Sequence, residues 1–154
     1  MAINIRKVGV IGAGQMGNGI AQVVAQAGFD VLLNDVSSDR IKSALATING
    51  NLSRSVSKKA LADKEREQVL ARIRPADKLE ELADCDLIIE SASEKEDVKR
   101  KIFNELCAGL KADALIGSNT SSISITRLAA STDRPEKFIG IHFMNPVPRM
   151  ELVR

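Results

Sequence analysis

The sequence has very few aromatic residues. Its 154 residues include no tryptophan, no tyrosine and four phenylalanines. Proteins that bind single-stranded nucleic acid stack the bases on aromatic side chains, and this chain has almost none to offer. It also lacks a strong positive field, because 22 basic and 20 acidic residues leave a formal net charge of only +2. We therefore expect no nucleic-acid partner.

Cysteines and long apolar runs are scarce as well. Cys85 and Cys107 are isolated in a chain without a charged and apolar leader, so we interpret them as reduced thiols and expect a cytoplasmic protein. No apolar run approaches the roughly 20 residues of a membrane helix, so no membrane partner is expected. With 44% hydrophobic and 27% charged residues, the composition is typical of one globular domain.

A glycine-rich hexapeptide, residues 12–17, is the most informative stretch of the chain. By itself G-x-G-x-x-G is a weak signal, because a glycine-rich turn explains it equally well. Here a buried-type strand precedes it, and a helical segment with Gly28 as its C-cap leads to a second apolar run. The apolar face of that segment is formed by Ile20, Val23, Val24 and Ala27. This context predicts a strand, helix and strand that bind a dinucleotide.

Each position of the hexapeptide has a separate task in such a unit. Gly12 allows a sharp turn, Gly14 lets a pyrophosphate approach the backbone, and Gly17 lets the helix lie close to the strand. The first free amides of the helix face the phosphates together with the positive end of its dipole. We therefore include Gln15 and Met16 with the three glycines as candidate cofactor residues.

Asp35 follows the second apolar run, at a distance from the glycines that suits ribose recognition. A carboxylate there can accept both hydroxyls of an adenosine ribose, and its charge repels the 2′-phosphate of NADP. The next three residues include no arginine that could neutralise this phosphate, although Arg40 lies close by. The sequence therefore favours NAD over NADP.

Apolar runs and helical segments alternate along the rest of the chain. This alternation predicts an α/β fold of the Rossmann type, with a doubly wound, mostly parallel sheet and helices on both faces. We expect one dinucleotide-binding domain over residues 1–154, with a helical excursion at about 38–72. Helices are predicted for residues 38–55, capped by Ser38 and weakened at 49–51, and for 96–110 and 123–130. Strands are predicted for residues 73–75, 86–90, 114–117 and 137–141.

Basic residues in the helical excursion admit two interpretations. Arg54, Lys58 and Lys59 precede a highly charged segment. A charge run is most often only a solvated face, but these three side chains could also bind an anion.

Three polar clusters follow the ends of predicted strands, at residues 90–94, 118–122 and 142–146. Because the strands of a doubly wound sheet end at one crevice, the clusters should converge beside the glycine loop. His142 is the only histidine, and its pKa range suits proton transfer at neutral pH. A single histidine in a strand is more often a core residue, but the position of His142 favours chemistry.

With these residues in view, the chain resembles the amino-terminal domain of the short-chain 3-hydroxyacyl-CoA dehydrogenases, of the bacterial 3-hydroxybutyryl-CoA type. The resemblance covers nearly the whole chain. It rests on motifs in the family's order and spacing: G-A-G-Q-M-G with Asp35, I-E-S with Glu94 and Lys99, S-N-T-S-S at 118–122, and H-F-M-N-P-V-P at 142–148.

The resemblance implies NAD-dependent oxidation of 3-hydroxyacyl-CoA to 3-oxoacyl-CoA, in fatty-acid (beta-oxidation) or butanoate metabolism. It makes His142 and Ser121 catalytic, with His142 as the base and Ser121 as the orienting hydroxyl. It implies that Glu94, Lys99, Ser121 and Asn145 line the nicotinamide side of the cofactor site. Asn51, Lys58 and Ser121 are implied to contact the acyl-CoA substrate. No metal site is expected.

Two departures from the family's pattern leave other functions open. The family carries, 12 residues after the histidine, a glutamate that orients its imidazole, and this chain has Arg154 at that position. Glu151 is close in sequence, but it should point to the opposite face of a strand. The family's carboxy-terminal helical domain, which carries most of its dimer interface, is absent from the 154 residues. The alternatives are an NAD-binding module without catalysis and, with less support, a dehydrogenase of free 3-hydroxy acids.

The last five residues, 150–154, read as the beginning of a strand. We expect such a strand to leave an unpaired edge and apolar surface, which favours a homo-oligomer.

Overall fold

A computed structural model describes residues 3–154; Met1 and Ala2, on which the expectation of no leader partly depends, lie outside the described residues. In this described part of the chain, six parallel strands form one sheet in the order β3-β2-β1-β4-β5-β6. The strands are β1 (Lys7–Ile11), β2 (Asp30–Asn34), β3 (Ile73–Ala76), β4 (Leu87–Glu90), β5 (Leu115–Ser118) and β6 (Phe138–Gly140). The predicted doubly wound Rossmann-type fold is therefore confirmed, with its crossover point between β1 and β4.

Within residues 3–154, five helices connect the strands and cover both faces of the sheet. They are α1 (Gln15–Gln26), α2 (Ser38–Ser57), α3 (Asp63–Arg72), α4 (Glu96–Cys107) and α5 (Ile125–Ala129). Short 3-10 turns lie at Leu79–Leu82, Pro135–Lys137 and Val147–Arg149. None of the helices among residues 3–154 is long and apolar enough to cross a bilayer.

The core divides into two apolar clusters, one on each face of the sheet. The first joins β1 and β2 to α1 and α2 and includes Val10, Ile20, Leu33 and Leu52, all without exposed surface. The second packs β4 and β5 against α4 and α5. Phe103 of α4 meets Phe138 of β6 edge to face, with ring centroids 5.1 Å apart. Burial on both faces explains why the central strands are nearly continuous apolar runs.

The buried face of helix α1 only partly matches the predicted one, although Val23 and Val24 also pack against the core. Ile20 is buried as expected, but Val23 and Val24 are only half-buried and Ala27 is exposed. The buried side is formed by Gly17, Gly19, Ile20, Ala21, Gln22 and Ala25. Small residues predominate there, and they are weak signals in a search for apolar periodicity.

Helix α2 also departs from its prediction, in two ways. Its N-cap is Ser37 rather than Ser38, since the Ser37 hydroxyl accepts the Arg40 N–H at 3.3 Å. The helix runs without interruption through residues 49–51, where a weak point was expected. Burial of Ile48 and Leu52 outweighs the poor helix propensity of Gly50.

Several other predicted segments are longer than the observed elements. Helix α4 ends at Cys107 rather than near residue 110, and α5 starts at Ile125 behind an N-cap serine rather than at residue 123. The strand expected over residues 150–154 reduces to one antiparallel bridge between Phe143 and Val153.

Candidate active site

The glycine loop joins β1 to α1 at the carboxyl edge of the sheet. Gly12 has a φ of +100°, and a Cβ there would lie 2.4 Å from the Ser91 carbonyl oxygen. A Cβ on Gly17 would lie 1.6 Å from the carbonyl oxygen of Gly12. Gly14 is different, because a Cβ there would meet no atom within 4 Å among residues 3–154. Two of the glycines are required by the fold itself, while the third borders open space of the kind that a phosphate needs.

The first turn of α1 is built to accept an anion. Gly14 is its N-cap, without a side-chain cap bond and without an acidic residue in the first turn within the described chain. Its leading amides, including those of Gln15 and Met16, are therefore available to negatively charged oxygens together with the helix dipole. The arrangement fits the diphosphate of a dinucleotide.

Asp35 lies directly after β2 and is 7% exposed. One carboxylate oxygen accepts the Ala13 N–H at 2.9 Å, and the other accepts the Ser37 N–H at 2.9 Å. Because each oxygen has two lone pairs, the carboxylate can still accept ribose hydroxyls. Asp35 thus also holds the glycine loop to the second strand, a role that the sequence did not indicate.

A cavity of about 1120 Å³ runs along this edge of the sheet. Its walls include nearly all of the predicted cofactor residues: Gly12, Gly14, Gln15, Met16, Asp35, Glu94, Lys99, Ser121 and Asn145. Gly17 is not among the lining residues, in keeping with its packing role. His142 lines the same cavity, so the three polar clusters converge as predicted.

Ser121 and His142 face each other in this cavity. The Ser121 Oγ lies 3.4 Å from the His142 Nε2. The loops that carry them are tied together by Asn119, whose side-chain oxygen accepts the Phe143 N–H at 2.8 Å. Asn145 in turn accepts the side-chain amide of Gln15 at 3.3 Å, which links the histidine segment to the start of α1. A hydroxyl and an imidazole at this separation can both form hydrogen bonds with one substrate oxygen that lies beside them.

Glu94 binds the loop that carries Ser121. One of its carboxylate oxygens accepts the Ser121 N–H at 3.1 Å, and the other accepts the Thr120 hydroxyl. Burial disfavours ionisation of Glu94, but these two hydrogen bonds and the charges of Lys99 and His142 hold the pKa of its carboxyl below the ordinary value.

Lys99 does not extend freely into the cavity. Its ammonium donates to Glu90 at 2.6 Å and to the Ala92 carbonyl at 3.3 Å, and its side chain is 2% exposed. The second oxygen of Glu90 accepts the Ser118 hydroxyl at 2.5 Å. This buried network joins the ends of β4 and β5 near the loops that carry Ser121 and His142, and the sequence did not indicate it.

Arg154 lies directly opposite His142. The two backbones exchange hydrogen bonds in both directions, at 2.6 and 2.9 Å. Paired residues of this kind direct their side chains to the same face, so residue 154, not Glu151, is the neighbour of His142 across the pair.

Asn51 and Lys58 lie apart from Ser121 and His142. Both line a second cavity of about 370 Å³, which also receives Arg54 and Arg149. Pro146 lines this second cavity, while the preceding Asn145 lines the first, so a single segment borders both. Arg149 was not anticipated, because only the 3-10 turn at Val147–Arg149 brings it near α2.

Comparisons with known proteins agree with this geometry. The family model described as "3-hydroxyacyl-CoA dehydrogenase, NAD binding domain" matches residues 7–154. A 3-hydroxybutyryl-CoA dehydrogenase of Bradyrhizobium diazoefficiens is 71% identical over 99% of this chain and 52% of its own. A 3-hydroxyadipyl-CoA dehydrogenase of Escherichia coli is 42% identical over 99% of this chain and 32% of its own.

A solved crystal structure also has the same fold as this chain. The crystal structure of (S)-3-hydroxybutyryl-CoA dehydrogenase from Ralstonia eutropha superimposes with a TM-score of 0.94 at 44% identity, over 97% of this chain and 53% of the other. The chain thus spans about half the length of these 3-hydroxybutyryl-CoA dehydrogenases. The predicted family and the predicted cofactor, NAD, are confirmed. The chain belongs to the 3-hydroxyacyl-CoA dehydrogenase family, of which it carries the NAD-binding domain.

Proposed function

We propose that this domain serves an enzyme that oxidises 3-hydroxyacyl-CoA, specifically 3-hydroxybutyryl-CoA, to the 3-oxoacyl-CoA with NAD. The observation that carries the proposal is the Ser121 hydroxyl 3.4 Å from the His142 imidazole in the cavity of the glycine loop. The name of the 71% identical relative supports the four-carbon acyl group. The domain would act as a single unit over the whole chain, with α2 and α3 as its helical excursion.

The chemistry divides between two side chains. His142 accepts the proton of the substrate hydroxyl, while the Ser121 hydroxyl donates to the oxygen and keeps it in line. In the reverse direction His142 returns the proton and Ser121 polarises the ketone. NAD would supply the acceptor for the hydride, and residues around the cavity, Glu94 and Asn145 among them, would hold its nicotinamide side.

The second cavity suits the coenzyme A portion of the substrate. Asn51 and Lys58 were implied to contact the substrate, and Arg54 and Arg149 bring further positive charge to the same place. Arginine and lysine are the side chains that bind phosphate groups most strongly. The shared segment at Asn145 and Pro146 would let the acyl arm pass from one cavity to the other.

Two further proposals concern the setting of the enzyme. The free thiols of Cys85 and Cys107 support a reducing, cytoplasmic compartment. The exposed apolar side chains near the edge strand β6 support a homo-oligomer.

A second candidate function is NAD binding without catalysis. The observation in its favour is Arg154 opposite His142, where the family carries a glutamate, since an arginine side chain has no acceptor for a hydrogen bond from the imidazole.

Reduction of acetoacetyl-CoA by NADH, followed at 340 nm, decides between the two candidates. A full-length protein that contains this domain should reduce acetoacetyl-CoA. The 154-residue chain, which spans about half the length of its relatives, should show little activity. Tight NADH binding by a full-length protein without turnover of acetoacetyl-CoA would favour the second candidate.

A further inference from the structure

A buried glutamine on helix α1 is hydrogen-bonded to helix α2 at the second cavity. Gln22 is 4% exposed, and its side-chain oxygen accepts the Asn51 side-chain N–H at 3.0 Å. The amide nitrogen of Gln22 donates along α1 to the side-chain oxygen of Gln26 at 3.3 Å. Because a buried amide is costly unless its polar atoms are paired, these two contacts fix the orientation of the Gln22 side chain.

Asn51 transmits this restraint to an arginine. The side-chain oxygen of Asn51 accepts from the Arg54 guanidinium, while its N–H group is the one bound by Gln22. Asn51 is half-buried, whereas Arg54 is exposed, and an exposed arginine samples many rotamers unless hydrogen bonds restrain it. The hydrogen bonds from Gln22 through Asn51 therefore hold the Arg54 side chain where it lines the second cavity.

The second cavity is positively charged. Arg54, Lys58 and Arg149 line it, and within the described chain no aspartate or glutamate is among its lining residues. None of these three cations forms an ion pair with a carboxylate within residues 3–154. Hydrogen bonds from cations to phosphate are strong, and an arginine can donate two in parallel. The cavity is therefore suited to a ligand that carries phosphate groups.

Helix α1 also approaches the 3-10 turn at Val147–Arg149 closely, on the face that carries Gln22. Gly19 precedes Gln22 by about one helical turn, and a Cβ on Gly19 would lie only 2.8 Å from the Val147 Cβ. The missing side chain at Gly19 lets the 3-10 turn lie against α1, and Arg149 lines the cavity together with Gln22. One face of α1 thus borders both the turn and the buried amide.

We propose that Gln22 is a positioning residue for substrate binding: through Asn51 it holds the Arg54 guanidinium in the second cavity, where Arg54 binds a phosphate of the acyl-CoA. The identity of this ligand rests on the proposed function. Gln22 acts through Arg54, without itself binding the phosphate. Helix α1 would then serve both sites, with its first turn facing the cofactor and a later turn supporting the substrate.

Binding of coenzyme A to the 154-residue chain tests the proposal, because all the lining residues of the second cavity belong to this chain. We expect R54M to raise the Kd for coenzyme A, measured by calorimetry, about 5- to 10-fold, since it removes a charge-assisted hydrogen bond. Q22L leaves Arg54 in place but unrestrained, and it should raise this Kd about 3-fold. K42M removes a charge from an exposed position on the same helix, outside the cavity, and should bind coenzyme A like the wild type.

A double variant distinguishes positioning from direct contact. If Gln22 acts through Arg54, Q22L added to R54M should cause no further loss of affinity for coenzyme A. Additive losses, an unchanged Kd in R54M, or a wild-type chain that does not bind coenzyme A would each overturn the proposal. Q22A replaces Q22L in the cycle if the leucine variant does not fold.

The Kd for NADH shows whether Q22L acts only by disturbing helix α1. It should change less than about 2-fold, because the cofactor contacts lie at the first turn of the helix. Equal losses of affinity for NADH and coenzyme A would make Gln22 a residue of the fold alone and would contradict the proposal.

Turnover by a full-length enzyme gives a second measurement. Q22L and R54M should raise KM for acetoacetyl-CoA by a larger factor than they lower kcat. The loss of kcat/KM should be smaller with acetoacetyl-pantetheine, which carries no phosphate, and an equal loss with both substrates would argue against a phosphate contact. If the wild-type enzyme does not reduce acetoacetyl-CoA at all, the proposed function fails, and the calorimetric cycle still decides the role of Gln22.

Discussion

At the scale of single residues, Asp35 combines two tasks that the sequence suggested only in part. Its charge favours NAD, as predicted, but its two oxygens also hold Ala13 and Ser37 through their N–H groups. Removal of the side chain would therefore disturb the glycine loop as well as ribose recognition. Asp35→Asn removes the charge and keeps one of the two acceptor oxygens, so it tests ribose recognition with less disturbance of the glycine loop than removal of the whole side chain.

We expect the wild-type domain to bind NADH at least ~10-fold more tightly than NADPH, since an unfavourable contact of about 1.4 kcal/mol already gives that ratio. Asp35→Asn should narrow the preference, because the amide has no charge to repel the 2′-phosphate. Fluorescence titration with both reduced cofactors measures the ratio. Asp39→Asn changes an exposed residue in the first turn of α2 and should leave the ratio of the two dissociation constants unaltered. Equal dissociation constants in the wild type would contradict the role of Asp35.

His142 allows a prediction that separates chemistry from cofactor binding. In the full-length enzyme, His142→Gln should reduce turnover by roughly 10²-fold or more, as loss of a positioned general base does. The Kd for NADH should change little, because the phosphate and ribose contacts lie elsewhere in the cavity. Steady-state kinetics and fluorescence titration together give both values. Wild-type turnover in this variant would show that the histidine is structural.

At the scale of secondary-structure elements, the ends of β4 and β5 are joined by a buried ion pair. Glu90 has no exposed surface and Lys99 is 1% exposed. Such a pair contributes little net stability, but the loss of one partner leaves a buried charge without compensation.

Lys99→Met should therefore destabilise the domain by about 3–5 kcal/mol, measured by urea unfolding. The double variant Glu90→Gln with Lys99→Met removes both charges and should recover most of that loss. Lys101→Met, an exposed change on the same helix, is the matched control and should have little effect. A single variant as stable as the wild type would show that Glu90 is not charged in the folded protein.

The amino-terminal ends of β1 and β4 are joined by a second carboxylate. Asp86 accepts the backbone N–H groups of Arg6 and Lys7, and its side chain pairs with Lys111. The Lys111 ammonium contributes most to lowering the pKa of the Asp86 carboxyl to about 2, with the two backbone N–H groups next.

This shift predicts how stability depends on pH. Asp86 contributes fully to the free energy of unfolding at pH values above the pKa of its carboxyl in the unfolded chain, which is near 4. This contribution is lost as the pH falls through the pKa of about 2 in the folded protein. Asp86→Asn should therefore be less stable than the wild type at pH 7, and the difference should shrink between about pH 4 and pH 2. Urea unfolding at several pH values measures it. Asp77→Asn, at an exposed position, should differ from the wild type in stability by the same amount at every pH. If Asp86→Asn were still less stable than the wild type at pH 2, the lowered pKa of Asp86 would not be the cause.

At the scale of the whole molecule, the sheet brings all three polar clusters to one edge and leaves β6 as an outer strand. Apolar side chains near that strand are exposed: Ile139 is 58%, Leu152 56% and Val153 48% exposed. An outer strand with apolar neighbours tends to pair with another chain.

We expect concentration-dependent self-association of the domain, with NAD binding retained because the glycine loop lies at a distance from β6. Sedimentation velocity over about 10–500 μM tests this, a range in which exposed edges and apolar surface associate. Ile139→Lys should weaken the association, because a charged residue on an edge strand opposes pairing. Val36→Lys, on a fully exposed residue beside Asp35, should not. A strictly monomeric wild type over the whole range would contradict the expectation.

Sequence alone determined the fold class and the cofactor loop, and it predicted that Ser121 and His142 form a catalytic pair. These features depend on local patterns: continuous apolar runs mark strands buried on both faces, and glycines at fixed spacing mark a backbone that a phosphate can approach. Asp35 and His142 could be found because each follows directly on such a run, whereas Ser121 was indicated by the family resemblance of the segment at 118–122.

Tertiary structure decided the contacts between segments that lie far apart along the chain. The hold of Glu94 on Ser121, the buried pair of Glu90 and Lys99, and Arg149 beside Lys58 depend on how loops and helices pack in space. Packing also keeps α2 helical at Gly50, despite the low helix propensity of glycine. The backbone of Arg154 pairs with that of His142. Long-range burial and hydrogen bonding outweigh weak local preferences at such positions, and no local pattern in the sequence records them.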